Sequence, residues 1–120
     1  MAVDIFALGE PMVEFNQTRE GAGRLYLRGF GGDTSNAAIA AARQGARVGY
    51  LSAVGDDVYG AMLRELWTQE GVDHDSVGTN PQGYTAVYFV NHDEQGHHFF
   101  TADQSEFEDA LALDVAAEAN

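Results

Sequence analysis

The stretch that decides the fold reads GGDTSNAAIAAARQG from Gly31 to Gly45 and, after a strand-like segment, VGDDVYG from Val54 to Gly60. Two consecutive glycines let the main chain approach other groups closely, and the polar residues after them can begin a helix. The alanine-rich segment, about Asn36 to Gln44, is therefore predicted to be a helix that Gly45 ends. Its small side chains indicate close packing against a sheet.

Apolar segments on both sides of this stretch predict a parallel layer. Ile5 to Leu8 is predicted to be a short, buried, central strand, and Val48 to Val54 is predicted to be the strand after the alanine-rich helix. A second helix is predicted from about Tyr59 to Glu70, because its apolar residues recur at helical spacing and Gly71 follows. The alternation of strand and helix is typical of a parallel βαβ unit.

A second group of segments predicts further strands, two of which form an antiparallel hairpin. Met12 to Phe15 and Leu25 to Leu27 have the pattern of strands. Tyr84 to Val90 and His97 to Phe100 flank a turn signal, Asp-Glu-Gln-Gly, which predicts a hairpin. The fold class predicted is α/β, with a Rossmann-like parallel sheet, helices and a small accessory sheet. The acidic segment from Gln104 on begins with a capping-box pattern and predicts one more helix.

The composition restricts the partners. The formal net charge is −13, from 19 acidic residues against six arginines and no lysine. Nucleic acid and anionic membranes require clustered basic residues, so we expect neither as a partner. The absence of cysteine excludes disulfides and thiolate sites, and no segment is long and apolar enough to span a membrane, so a cytoplasmic location is expected. A lysine-free acidic surface also predicts adaptation to concentrated salt.

Gly31, Gly32, Asp33 and Asn36 form a candidate binding site. The glycines permit close approach of a ligand, and free N–H groups at a helix N-terminus can donate to its oxygens. Asp33 and Asn36 add acceptor and donor groups, an arrangement that suits a polyhydroxylated ligand. A tight turn followed by a helix cap is the alternative explanation of the same residues.

The glycine pair with its asparagine, the helix ending in glycine, and Val-Gly-Asp-Asp-x-x-Gly resemble, in order and spacing, the N-terminal signature of the PfkB carbohydrate kinases. The resemblance covers about residues 3 to 100, and GEPMVEF at Gly9 to Phe15 is most similar to 2-keto-3-deoxygluconate kinases and some fructokinases. It implies a ribokinase-like core with a β-sheet lid, formed by residues about 12–30 and 84–100, over the sugar. The implied reaction is ATP-dependent phosphorylation of a hydroxyl group of a small sugar or a 2-keto-3-deoxy sugar acid.

Carried over by position, the resemblance assigns sugar contacts to the four residues of the candidate site and adds Tyr88 and Glu14. A packing role for the tyrosine and an exposed strand position for the glutamate are the alternatives. Asp56 and Asp57 are expected to shape and cap the helix that follows them.

The resemblance assigns no catalytic residue to this chain. The catalytic aspartate of the family lies in a Gly-x-Gly-Asp motif near the C-terminus, and Ala53 to Asp56 imitates it only superficially. A Walker loop is excluded because it requires lysine. We therefore interpret residues 1–120 as a single N-terminal portion that binds no cofactor itself, whereas the complete enzyme would use ATP and Mg²⁺. The alternative is a non-catalytic fragment or sugar-binding module, with a possible homodimer through the lid strands.

Two features near the C-terminus bear on the ligand. The sugar-acid kinases of the family continue after Phe100 with a tyrosine- and arginine-bearing segment that recognises the substrate carboxylate, whereas 101–120 is acidic here. A neutral sugar and a sugar acid both stay open, as does the relation of this acidic tail to the fold. His97 and His98 are consecutive in a predicted strand and would point to opposite faces, so they cannot readily share one ion. Only one of them could pair with His92 across the hairpin, and we therefore predict no metal site.

Overall fold

The computed structural model describes residues 2–92 and 98–101, which form two sheets and two α-helices. In chain order the elements are β1 (Ile5–Leu8), β2 (Pro11–Gln17), β3 (Tyr26–Gly32), α1 (Ser35–Arg43), β4 (Val48–Gly55), α2 (Val58–Glu70), β5 (Val77–Asn80), β6 (Val87–His92) and β7 (His98–Thr101), with a 3₁₀ turn at Glu20–Gly23. Within these residues no helix is both long and apolar enough to cross a membrane.

The first sheet is parallel, with strand order β1-β4-β5. Both helices pack on it, and Tyr50 of β4 and Trp67 of α2 are fully buried with ring centroids 5.2 Å apart. Ala38 and Ile39 of α1 are buried in the same core. The predicted position of the alanine-rich helix against the parallel strands is therefore confirmed. Small side chains on the helix suit close packing against a sheet.

The second sheet contains the segments predicted as accessory strands, in the order β3-β2-β6-β7. β2 is antiparallel to β3 and parallel to β6, and β6 is antiparallel to β7. Side chains alternate between the two faces of each strand. Val13 and Phe15 of β2 face the helices, with Phe15 and Tyr59 of α2 in edge-to-face contact at 6.2 Å. The opposite face carries Glu14 and Tyr88.

Three features of the structure differ from the sequence analysis. β1 was predicted to be buried and central, but in the described part of the chain it is an edge strand, and Ile5, Phe6 and Leu8 are 45%, 53% and 50% exposed. An apolar segment predicts that a strand is buried, but it does not identify the element that covers the strand. Gly31 and Gly32 end β3 and do not form a turn before the helix. β5 was missed because four residues, Val-Gly-Thr-Asn, carry too weak a pattern.

The helix ends follow the local signals. α2 begins after Asp57, whose side chain accepts a hydrogen bond from the Gly60 N–H, and ends at Gly71, which has a left-handed φ of 74°. Its predicted inward stripe is confirmed, because Leu63 and Trp67 are fully buried. α1 begins after Thr34 without a side-chain cap. The predicted turn at 93–96 and the predicted helix after Gln104 lie outside the described residues.

Candidate functional site

Gly32 and Asp33 hold the junction between β3 and α1 against the turn that joins β1 to β2. The Asp33 Oδ1 atom accepts from the Glu10 N–H at 2.8 Å and from the Thr34 N–H at 2.6 Å. Gly32 has a φ of 126°, and a Cβ atom there would lie 2.2 Å from the Glu10 carbonyl oxygen. The close approach that the second glycine permits is thus made to the protein's own backbone.

The hydroxyl groups at the start of α1 bond to the core. Thr34 Oγ1 donates to the Leu8 carbonyl at 3.0 Å and lies 3.0 Å from the Tyr50 hydroxyl, and the Trp67 indole N–H donates to Ser35 Oγ at 3.0 Å. Burial raises the pKa of Tyr50 to about 12, so its phenol stays protonated. Thr34 and Ser35 therefore fix the start of α1 to the core through their side chains.

Glu14 and Tyr88 meet on the outer face of the second sheet. They are register partners on β2 and β6, and the Tyr88 hydroxyl donates a hydrogen bond to Glu14 Oε2. Burial, together with the hydrogen bond to the Glu14 carboxylate and its charge, raises the pKa of Tyr88. The phenol is therefore a stable donor, and the half-buried carboxylate is an acceptor held in one orientation.

Two glycines of β3 make room for this pair. A Cβ atom at Gly31 would lie 2.5 Å from the Tyr88 hydroxyl oxygen, and one at Gly29 would lie 3.2 Å from Glu14 Oε1. The two side chains thus lie over bare main chain. Sequence reasoning singled out Gly31 and missed Gly29, although the spacing of two residues places both on one face of a strand. The structure brings Glu14, Gly31 and Tyr88 together.

Asn36 belongs to a neighbouring cavity. It is exposed in the first turn of α1 and lines a cavity of about 440 Å³ between the two helices and Phe30. Phe30 and Gly31 are adjacent in β3, so their side-chain directions point to opposite faces of the sheet. The structure thus places Asn36 with the helices, whereas the pair over Gly31 occupies the outer face.

Asp57 is a structural residue, as expected. Its Oδ1 accepts from the Gly60 N–H at 2.8 Å and from Thr85 Oγ1 at 2.6 Å, and its Oδ2 accepts from the Thr85 N–H at 2.9 Å. Burial acts to raise the pKa of Asp57, but these hydrogen bonds outweigh it and lower the pKa. Asp57 therefore ties the start of α2 to the segment that leads into β6, while Asp56 is exposed.

Groups that could bind a cation are not assembled in the part of the chain that the structure describes. Among residues 2–92 and 98–101 there is no cluster of three or more histidine, aspartate or glutamate side chains with the geometry of a metal site. His92 and His98 are register partners on β6 and β7.

Residues 3–119 match the family model described as pfkB family carbohydrate kinase. The 2-dehydro-3-deoxygluconokinase of Thermoproteus tenax is 34% identical over 91 residues, which are 73% of this chain and 28% of that protein. The fructokinase of Salmonella typhimurium is 35% identical over 101 residues, which are 84% of this chain and 32% of that protein.

The fold has close counterparts among solved structures. The apo crystal structure of fructokinase from Vibrio cholerae O395 superposes with a TM-score of 0.75 and 28% identity, and covers 82% of this chain and 33% of that one. The predicted ribokinase-like α/β class is confirmed by this likeness. The chain spans about a third of the length of the proteins that it matches.

Proposed function

The chain belongs to the pfkB family of carbohydrate kinases, and we propose that it forms the sugar-binding portion of an ATP-dependent kinase that phosphorylates a hydroxyl group of a small sugar or a 2-keto-3-deoxy sugar acid. The fructokinases and 2-dehydro-3-deoxygluconokinases among its relatives support this range of substrates. Because the chain spans about a third of their length, phosphoryl transfer is proposed for a polypeptide of the relatives' length.

The observation that carries the proposal is the Glu14–Tyr88 pair over Gly31. Sugar hydroxyls are both donors and acceptors, and a fixed carboxylate is a strong acceptor for them. The remaining lone pairs of the Glu14 carboxylate can accept from neighbouring hydroxyls, and Gly31 leaves the room in which the pair is held. This arrangement binds and orients a polyol.

The other predicted contacts have less direct roles in the proposal. Gly32 and Asp33 would hold the β3–α1 junction beside the sugar, since both are engaged with the Glu10 backbone. Asn36, exposed in the first turn of α1, would add a donor and an acceptor from the adjacent cavity. We therefore propose direct sugar contacts for Glu14, Gly31 and Tyr88.

We propose no nucleotide-binding role for the described residues. A triphosphate requires clustered positive charge, but Arg43 is paired with Glu70 and Arg47 with Asp4. ATP with Mg²⁺ therefore enters the proposal only for a longer polypeptide, where it supplies the phosphoryl group. The role of the present residues is to bind and orient the acceptor sugar.

A binding or dimerisation module without activity is the second candidate. β3 is the outer strand of its sheet, and Leu25 and Leu27 beside and in it are 53% and 68% exposed. Pairing of two such edges would extend the sheet into a second copy. The net charge of −13 supports two further proposals, namely adaptation to concentrated salt and the absence of nucleic acid or anionic membrane as a partner.

The test combines binding and turnover. The 120-residue chain is titrated with a panel of hexoses, pentoses and 2-keto-3-deoxygluconate, and binding is measured by saturation-transfer NMR. The chain is then incubated with the same sugars and Mg²⁺-ATP to measure turnover. We expect binding of at least one sugar and no sugar-dependent release of ADP. Absence of all sugar binding in a chain shown to be folded would overturn the proposed function. Sugar-dependent ADP release that survives repurification would overturn its restriction to binding.

A further inference from the structure

The positive charges of this chain lie away from the Glu14–Tyr88 pair. The sequence contains six basic residues, all arginines and all within residues 2–92. Arg43 and Arg47 form ion pairs with Glu70 and Asp4. Arg64 donates to the Val77 carbonyl at 2.7 Å and to Thr79 Oγ1 at 2.8 Å, both on β5, an edge strand of the parallel sheet in the described residues.

The other three arginines are also directed elsewhere. Arg28 lies on the face of β3 opposite to Gly29 and Gly31, with its guanidinium 5.8 Å from the centre of the Phe30 ring. Arg19 and Arg24 lie in the connection beyond the far end of β2, where Arg24 Nε donates to the Gly21 carbonyl at 3.3 Å. Because the sequence outside the described residues contains no lysine or arginine, this chain supplies no permanent cation to the site.

The hydrogen-bond pattern of the pair sets the chemistry that it can accept. Glu14 presents only acceptors, and the proton of Tyr88 is directed at Glu14. The remaining lone pairs of the Glu14 carboxylate require donors from the ligand, and each hydroxyl of a neutral sugar has one. A sugar carboxylate or phosphate brings acceptors and negative charge instead, so it would face Glu14 as a like charge with no arginine or lysine of residues 1–120 beside it.

We infer that the site formed by Glu14, Tyr88 and Gly31 selects a neutral sugar and discriminates against sugar acids and sugar phosphates. The inference rests on the proposed function and narrows its substrate class. Two like charges about 4 Å apart in water repel enough to weaken binding about fivefold, and partial exclusion of water increases this factor. We therefore expect a preference of at least about fivefold for the neutral ligand at low ionic strength.

The experiment compares ligands that differ in charge. The chain is titrated at about pH 8, where histidines are neutral, with fructose against 2-keto-3-deoxygluconate and with glucitol against gluconate. Glucitol and gluconate form a matched pair, since one end of the molecule is a hydroxymethyl group in the first and a carboxylate in the second. Dissociation constants come from saturation-transfer NMR, at the lowest KCl concentration that keeps the chain folded by circular dichroism.

Two changes test whether charge causes the preference. Glu14→Gln removes the charge and keeps an acceptor oxygen, and about 1 M KCl screens the charge without any substitution. We expect each change to bring the neutral-to-acid affinity ratio close to one. Because the salt series uses the parent chain, it measures the effect of charge on the affinity ratio even if the Glu14→Gln variant folds poorly.

The outcomes separate the inference from the proposed function. If sugar acids bind the parent chain as tightly as the neutral sugars or more tightly, the proposed function stands and the inference is overturned. A preference that neither Glu14→Gln nor salt reduces also overturns it, because the charge of Glu14 is then not its cause. If the folded chain binds no sugar of either kind, the proposed function fails and the inference fails with it.

Discussion

Tyr88 on β6 donates a hydrogen bond to the carboxylate of Glu14 on β2, although the two residues are 74 positions apart in the sequence. The parallel register of β2 and β6 places them side by side, and Gly31 on the other neighbour of β2 has no side chain, which makes room for the Tyr88 hydroxyl and the Glu14 carboxylate. Each of the three strands supplies one part of the site.

Tyr88→Phe is expected to weaken sugar binding by about threefold to tenfold, because one neutral hydrogen bond contributes about 0.5–1.5 kcal/mol. Tyr26→Phe is the matched control, since the Tyr26 hydroxyl bonds to Asn91 Oδ1 at 2.8 Å on the opposite face of the same sheet. Dissociation constants from saturation-transfer titrations measure both effects. Equal losses in the two variants would contradict a direct role for Tyr88.

Gly32→Ala is expected to destabilise the fold more than Gly45→Ala. Both glycines have positive φ, 126° and 94°, which costs an alanine about 1–2 kcal/mol. Only at Gly32 does the new Cβ also meet backbone, 2.2 Å from the Glu10 carbonyl oxygen, whereas nothing lies within 4 Å at Gly45. Urea midpoints of the two variants measure the difference. Similar midpoints would show that the β3–α1 junction accommodates the new Cβ atom without loss of stability. The structural role assigned to Gly32 would then be wrong, and a role in ligand access would explain the glycine instead.

Asp57→Asn is expected to lower the free energy of unfolding at neutral pH by about 1–3 kcal/mol, because the amide has one acceptor oxygen instead of two and its NH₂ group cannot accept from the buried donors around it. The pKa of Asp57 is lowered in the folded chain, so its stabilising contribution is present above the unfolded value, about 3.9, and is lost as the pH falls through the folded value. The gap between parent and variant should therefore narrow below about pH 4.

Chemical unfolding at a series of pH values measures this gap, with Asp56→Asn as the control because Asp56 is the exposed neighbour. We expect the control to follow the parent. A gap for Asp57→Asn that widens in acid would contradict the assigned hydrogen bonds.

Salt should stabilise the chain. With a net charge of −13, mutual repulsion of carboxylates opposes the compact state, and molar KCl screens it over a few ångströms. We expect the melting temperature, followed by circular dichroism, to rise continuously with KCl concentration to molar levels. A melting temperature that stays constant or falls would remove the proposed adaptation to concentrated salt.

Local signals in the sequence determined much of the fold. The alanine-rich run and the Asp57 and Gly71 ends predicted both helices within one residue of their observed bounds, because capping and periodicity act over a single turn. The glycine pair and the Val-Gly-Asp-Asp segment identified the family, since their order and spacing are carried by the chain itself. The absence of lysine is likewise a property of the sequence alone.

The tertiary structure decided what each of these residues touches. Asp33, Thr34 and Ser35 are residue types that commonly cap helices. Here the Asp33 side chain bonds to the β1–β2 turn, that of Thr34 to β1, and that of Ser35 to Trp67. Gly32 stands where the sequence predicts a ligand-binding glycine, yet the group that a Cβ atom there would meet first is the Glu10 carbonyl. The same hydrogen-bonding group can serve either purpose, and only the packing around it selects one.

The pair over Gly31 shows where sequence reasoning ends. Glu14 and Tyr88 could each be named as candidates, but their contact depends on the register of β2 against β6. A shift of one residue in that register would turn Tyr88 to the helix side of the sheet. Period-two alternation determines which residues of one strand share a face, whereas the pairing of distant strands, set by the common core, determines which side chains meet across it.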